Sequence, residues 1–146
     1  MRLELKLDPT VRETTVTVTA AELTDEVRAL LAQLEGKQDT RLTGFREGQA
    51  VLLTPAEVLR FFAQDKEVYA QTATDTLLLR SRLYELEEAL DPHTFVRISN
   101  SEIVNLKKVT SLDLSLTGTI RMTLNGSVTA YVSRRYVKKI KQAIGL

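Results

Sequence analysis

Leu3, Leu5 and Leu7 alternate with Arg2, Glu4, Lys6 and Asp8, and residues 14–20 (TTVTVTA) alternate threonine with valine. A period of two sends successive side chains to opposite faces of an extended chain, so two strands are expected here. Leu23, Val27, Leu30, Leu31 and Leu34 then recur at helical spacing. Thr24 can cap that helix, Asp25 and Glu26 suit the positive end of its dipole, and Gly36 can end it. This β-β-α unit is short and acidic and runs into the polar stretch 36–41. Residues 1–40 therefore read as a small N-terminal appendage and residues 41–146 as the main domain.

From about Leu42 the pattern becomes strand-rich. Ala50–Leu53 is a short strand, and Thr54-Pro55-Ala56-Glu57 has the form of a capping box with Pro at the first helical position. Leu59–Gln64 and Glu67–Thr72 form a hairpin around Asp65-Lys66, and Asp75–Leu79 is a further strand. Ser81 is placed to cap a helix that buries Leu83, Leu86 and Leu90 and stops at Asp91-Pro92. Val109–Leu114, Thr119–Leu124 and Ser127–Val132 are strands, the last two joined by Asn125-Gly126, the pair a type I′ turn favours. Ser133 then caps a final helix with Val137, Ile140 and Ile144 inward and Arg134, Arg135, Lys138, Lys139 and Lys141 largely outward. The pattern predicts an α+β, β-rich fold.

The segment Phe95–Leu106 (FVRISNSEIVNL) fits neither template. A buried strand would alternate more cleanly and would not carry two Asn, while a loop would not carry Phe, Val and Ile in such number. It reads as a stretch that buries one side and holds a row of hydrogen-bonding groups on the other.

Bulk properties narrow the chemistry. At 146 residues the chain can bury one sizeable core plus an appendage. It has no Cys, which excludes disulfides, thiolate chemistry and Cys-ligated zinc and fits a reducing cytoplasm. No apolar run reaches the length of a membrane span, and the N-terminus lacks an apolar signal core. His93 is the sole histidine and sits beside Pro92, so a His-based triad or a multi-His metal site is not expected. Gly44–Gly48 (GFREG) lacks the spacing of a phosphate loop, and Glu85, Glu87 and Glu88 read as a solvated helix face. No enzyme, metal, cofactor or small-molecule substrate is expected.

Charge is more informative in its distribution than in its net value of +1. Lys and Arg number five against eight Asp and Glu in residues 1–40, six against eight in 41–90, and nine against three in 91–146. The basic last third suits an anionic partner. Phosphate binding needs cations on a rigid frame, and base reading needs Arg or amide side chains aimed at groove edges. Asn100, in the polar row, and Arg135, near a helix start, meet that need; Asn105 is better read as satisfying backbone groups in a turn.

Phe95-x-Arg97-Ile98-x-x-Ser101-x-x-Val104-Asn105, followed by Val109, the Asn125-Gly126 hairpin and Val132–Tyr136 (VSRRY), resembles the LytTR family of bacterial DNA-binding domains. The resemblance covers about residues 42–146 and is most specific over 95–140. It implies several small antiparallel sheets with short helices and no helix-turn-helix reading helix. The implied activity is sequence-specific binding of promoter DNA at repeated half-sites, usually as a pair. Carried over residue by residue, the base contacts fall on Asn100, Arg135 and, from the loop of the first hairpin, Lys66. Phosphate contacts are expected from Lys107, Lys108, Arg134, Lys138, Lys139 and Lys141. Phe95, Arg97, Ser101, Val104 and Asn105 are expected to hold the motif's structure.

Two departures from the family pattern stand out. Ser99 replaces a His common just before Asn100, and Asn100 stands where Arg or Lys is common; an amide suits adenine while a guanidinium suits guanine. Only about forty residues precede the matching region, too few for a receiver domain. The chain therefore resembles the short, stand-alone members, often paired with a small membrane protein that restrains them. A cytoplasmic homodimeric regulator is the first expectation. The alternative is a protein-interaction module whose N-terminal unit docks a membrane-bound partner and whose DNA binding is weak.

Overall fold

A computed structural model describes residues 1–35 and 41–146. The elements in order are α1 (Asp25–Leu34), β1 (Leu42–Arg46), β2 (Gln49–Leu53), β3 (Val58–Gln64), β4 (Glu67–Thr72), β5 (Thr76–Leu79), α2 (Leu83–Ala89), β6 (Phe95–Ser99), β7 (Glu102–Asn105), β8 (Val109–Asp113), β9 (Ile120–Leu124), β10 (Val128–Val132) and α3 (Val137–Ala143). They form two antiparallel sheets rather than several small ones. Seven strands run in the order β2-β1-β5-β4-β3-β7-β6, and three in the order β10-β9-β8.

Three hairpins turn through residue pairs that both have positive φ: Glu47-Gly48, Asp65-Lys66 and Asn125-Gly126. Such pairs match the right-handed twist of the flanking strands. Asn125-Gly126 announces itself in the sequence, whereas Glu47-Gly48 does not. β1 and its turn are therefore an addition to the expected pattern.

Two cores share the central strands. The first packs Phe61, Val68, Ala70, Leu77 and Ile103 of the large sheet against Leu83 and Leu86 of α2 and Leu90 just beyond it. The second packs Leu59, Val96, Ile98 and Val104 against Ile120, Met122, Leu124, Ala130 and Val132 of the small sheet and Ile140 of α3. β3, β6 and β7 are thus buried on both faces, and Phe61 meets Phe95 with ring centroids 5.7 Å apart. Residues 95–104 do not alternate because both sides of their strands need apolar groups.

Several expected caps form differently. Arg82, not Ser81, is the N-cap of α2; Glu85 reaches back and accepts from its N–H at 2.9 Å, so the carboxylate satisfies the terminus that the Ser81 hydroxyl was expected to serve. Thr54 precedes a 3-10 turn (Pro55–Glu57) without a side-chain cap bond, because its own carbonyl already accepts from Glu57 N–H at 2.9 Å. Ser133 likewise makes no side-chain cap; a 3-10 turn (Arg134–Tyr136) intervenes before α3.

The N-terminal unit departs most from expectation. Thr24 caps α1 as expected, accepting from Val27 N–H at 3.3 Å, yet no residue of the helix is buried. α1 lies beside Ala89–His93, with a shallow cleft between. Residues 2–8 and 14–20 form no ladder among the described residues, and Leu3, Leu5 and Leu7 are 94%, 83% and 86% exposed. A strand's backbone groups need a partner, and an isolated ribbon buries too little to offset its ordering cost. The helix stop expected at Gly36, and the boundary at residue 40, lie outside the described residues.

Asn105 is the buried polar link of the main domain, 1% exposed. Its Nδ2 donates to the Val58 carbonyl at 2.9 Å, and its Oδ1 accepts from Lys107 N–H at 3.0 Å. Asn105→Ala leaves both partners unpaired and is expected to lower stability by about 2–4 kcal/mol. Urea unfolding should show this as a lower midpoint at unchanged m-value.

Candidate nucleic-acid interface

β6 and β7 pair through Val96↔Val104, Arg97↔Ile103 and Ser99↔Glu102, so Ile98 is one residue too many. This bulge bends the strand and closes a tight corner at Ser99–Ser101. The corner is held from several sides. Ser99 Oγ accepts from Ser101 N–H at 3.2 Å, and the Ser101 carbonyl accepts from Ala63 N–H at 2.8 Å. Arg97 donates from Nε to the Ser99 carbonyl and from Nη2 to the Asn100 carbonyl, both at 2.9 Å. Its Nη1 meets Glu87 of α2 at 3.3 Å, so one member of the acidic cluster anchors the corner rather than lying on a merely solvated face.

Asn100 stands exposed at the tip of that corner. Exposed Arg135 comes to it from the 3-10 turn after β10, with Nη1 3.3 Å from Asn100 Oδ1. The Ser133 N–H donates to the Ile98 carbonyl at 2.8 Å, which fixes where that turn begins. Arg135 also lies 5.2 Å over the Tyr136 ring, which limits its swing. Lys66, exposed and with φ 66°, caps the β3–β4 hairpin. Because Ala63 bonds Ser101, that hairpin tip lies at the same end of the sheet as Asn100. Three residues far apart in sequence thus converge on one end of the fold.

The sequence model of the LytTr DNA-binding domain family matches residues 48–145. The chain belongs to the LytTr DNA-binding domain family. An uncharacterized HTH-type transcriptional regulator of Staphylococcus aureus (strain NCTC 8325 / PS 47) is 33% identical over 147 residues, covering 100% of this chain and 99% of the relative. Its counterpart in strain MRSA252 is 32% identical over the same span. Among solved structures, the LytTr DNA-binding domain of a Bacillus cereus protein described as a methyl-accepting/DNA response regulator superposes with a TM-score of 0.70 at 20% identity. That match covers 73% of this chain and 98% of that one, and it establishes the shared fold.

Among the described residues of this LytTR protein, strands separate every pair of successive α-helices, so no helix-turn-helix is present. No helix among them is long and apolar enough to cross a membrane.

The expected phosphate-contacting cations do not form a single stripe. Arg134 diverges from Arg135 and lies against Gly118, where an added Cβ would sit 2.8 Å from Arg134 Nη2. Arg134, Lys138 and Lys141 line a groove with Gly118, Gln142 and Leu146, while Lys139 is exposed on α3 outside that groove. Lys107 and Lys108 follow β7 at the end opposite the Asn100 corner, beside Asp91 and Asn105.

Arg60 is the residue that sequence reasoning passed over. It sits mid-strand with Nη1 3.2 Å from Glu102 Oε2, Nε 2.6 Å from Gln71 Oε1, and its guanidinium 4.8 Å from the Phe62 ring. A lone charge between Leu59 and Phe61 was the available signal. Glu102 lies two residues from Asn100, and Arg60 balances its charge there. Burial pushes the Glu102 carboxyl above its ordinary value, while Arg60 pulls it partly back.

A raised carboxyl binds protons more tightly in the folded state than in the unfolded one. Stability from this group is therefore lost as pH rises from the ordinary value of 4.5 through the folded one. Glu102→Gln cannot lose it. Urea midpoints measured across that window should show the stability difference between variant and wild type moving in favour of the variant as pH rises, and staying flat below it.

Proposed function

We propose that this protein is a sequence-specific transcriptional regulator that binds repeated promoter half-sites as a homodimer in the cytoplasm. The observation that carries the reading is the convergence of Asn100 and Arg135, 3.3 Å apart on a corner braced by Arg97. Neither side chain is needed for the core, and both are exposed where a duplex can approach. Asn100 and Arg135 would read base edges, and Lys66 would reach a neighbouring part of the groove from the adjacent hairpin. Arg134, Lys138 and Lys141 would grip phosphates along the groove beside α3, with Lys139 adding a contact from the same helix. Lys107 and Lys108, at the far end of β7, would meet backbone only on DNA that extends past or bends around the small sheet.

The full-length Staphylococcus aureus relatives, named as transcriptional regulators, support a regulatory role. The exposed N-terminal unit supports a second reading, in which that unit docks a membrane-bound inhibitor and governs DNA occupancy. Selection from random duplexes, followed by a genome-wide binding map, tests the primary reading. An absence of any preferred site would overturn it.

On the recovered site, Arg135→Ala is expected to cost about 1–3 kcal/mol, roughly five- to 150-fold in affinity, and to relax preference at the bases it reads. Fluorescence anisotropy with cognate and scrambled duplexes measures both. Lys138→Ala should instead weaken cognate and scrambled DNA alike and lower the salt slope by about one.

A further inference from the structure

Residues 2–8 carry an order that neither the fold nor the DNA reading uses. Their leucines are almost fully exposed, yet Arg2, Glu4, Lys6 and Asp8 alternate in sign between them. The segment ends in a turn: Val11 N–H donates to the Asp8 carbonyl at 3.1 Å, and Thr10 donates through N–H and Oγ1 to Asp8 Oδ1 at 2.9 and 2.7 Å. Both side-chain bonds end on Oδ1, which leaves Oδ2 for another donor. Val16 and Leu23 further along are 64% and 59% exposed, and α1 has no buried residue. The unit has the parts of a small sheet and its covering helix, but not enough chain to bury them alone.

We propose that residues 2–8 of two copies of this chain pair antiparallel about a twofold axis at Leu5, forming the homodimer interface. With Leu5 opposite Leu5, Leu3 meets Leu7, Glu4 meets Lys6 and Arg2 meets Asp8, each pair occurring twice. Every charge finds its opposite, and every leucine a leucine. Other registers do less well. Centring on Leu3 or on Leu7 keeps leucine on leucine but makes a single kind of charge pair, Arg2 with Glu4 or Lys6 with Asp8, on a shorter ladder. Centring on Glu4 sets it against itself and Arg2 against Lys6. Centring on Lys6 sets it against itself and Glu4 against Asp8. A half-step shift sets leucines against charges, and parallel pairing in register sets like against like. Cross-strand neighbours of opposite sign stabilise a ladder and like charges oppose it, so the Leu5 register, the longest and the one with the most complementary pairs, is favoured, with a second copy of the chain as the partner. The Arg2–Glu4 ion pair of the single chain, at 2.6 Å, lies on one strand face and is strongly exposed, so exchanging it for cross-strand partners costs little.

Residues 14–20 of each copy then flank the central pair, and the α1 stripe of Val27, Leu30 and Leu31 covers the leucine face. The dimer deepens the regulator reading and rests on it only for its use, since two chains joined at their N-termini can occupy two half-sites.

Sedimentation equilibrium of the full chain without DNA tests it. Wild type should dimerise. Lys6→Glu sets Glu against Glu twice, and Glu4→Lys sets Lys against Lys twice; each should weaken dimerisation by about tenfold or more. The double variant Glu4→Lys/Lys6→Glu should recover wild-type association. A mixture of the two single variants should form heterodimers tighter than either homodimer, because their charges are then complementary. A wild type that stays monomeric at its highest soluble concentration overturns the proposal, as do single variants that dimerise unchanged or a mixture no tighter than its components. Anisotropy on a single half-site, run on the same proteins, reports the DNA reading separately: its loss with dimerisation intact would count against the function, not the interface.

Discussion

The bond from Ser133 N–H to the Ile98 carbonyl decides the geometry of the end of the fold that carries Asn100 and Arg135. β6 is the edge strand of the large sheet, and at its bulge Ile98 has no partner across the β6–β7 ladder. Its carbonyl is therefore available to the end of β10, while its side chain stays fully buried in the second core. One residue thus ties the two sheets together at the point where the chain leaves the small sheet for α3. Within the small sheet, the Asn125 N–H donates to the Lys108 carbonyl at 2.8 Å and extends the β8–β9 ladder by one step. The Ser133–Ile98 bond sets the start of the turn from which Arg135 reaches Asn100.

Arg97 shows why the corner is rigid rather than merely present. Its fork spends two donor groups on the Ser99 and Asn100 carbonyls and a third on Glu87. A lysine, with a single ammonium on a flexible stem, could not hold that planar arrangement. The loop is thereby coupled to α2, whose other face fills the first core. A turn already ordered in the free protein loses less entropy when anything binds to it.

The sequence carried much of this architecture, unevenly. The hairpin at Asn125-Gly126, the turn at Asp65-Lys66, the α2 stripe and the inward set Val137, Ile140 and Ile144 were legible because each obeys a local rule. The corner itself was legible only as an anomaly. Residues 95–104 are buried on two sides and interrupted by a bulge, so no single period describes them. β1 was hidden by a Glu in a positive-φ turn position and by Gly44, which lets β1 close on Leu77 of β5 at a distance no side chain would permit. The α2 cap was misplaced by one residue because Glu85 satisfies the terminus from within the helix. The expected N-terminal strands failed for a different reason: their alternation is real, but alternation specifies a face, not a partner.

A short α3 makes a poor reading element. Seven residues, with Ile140 buried and Val137 half-buried, leave the helix committed to the second core and too short to lie along a major groove. Its lysines can approach phosphates, but its axis is fixed by packing against β6 and the small sheet. Side chains that project from strand ends face no such conflict, because the ladder beneath them supplies the rigidity and the tip is free of the core. Asn100, Arg135 and Lys66 all occupy such positions, on three different connections. The bulge at Ile98, the Arg97 fork and the Ala63–Ser101 bond hold these separate turns at a fixed spacing.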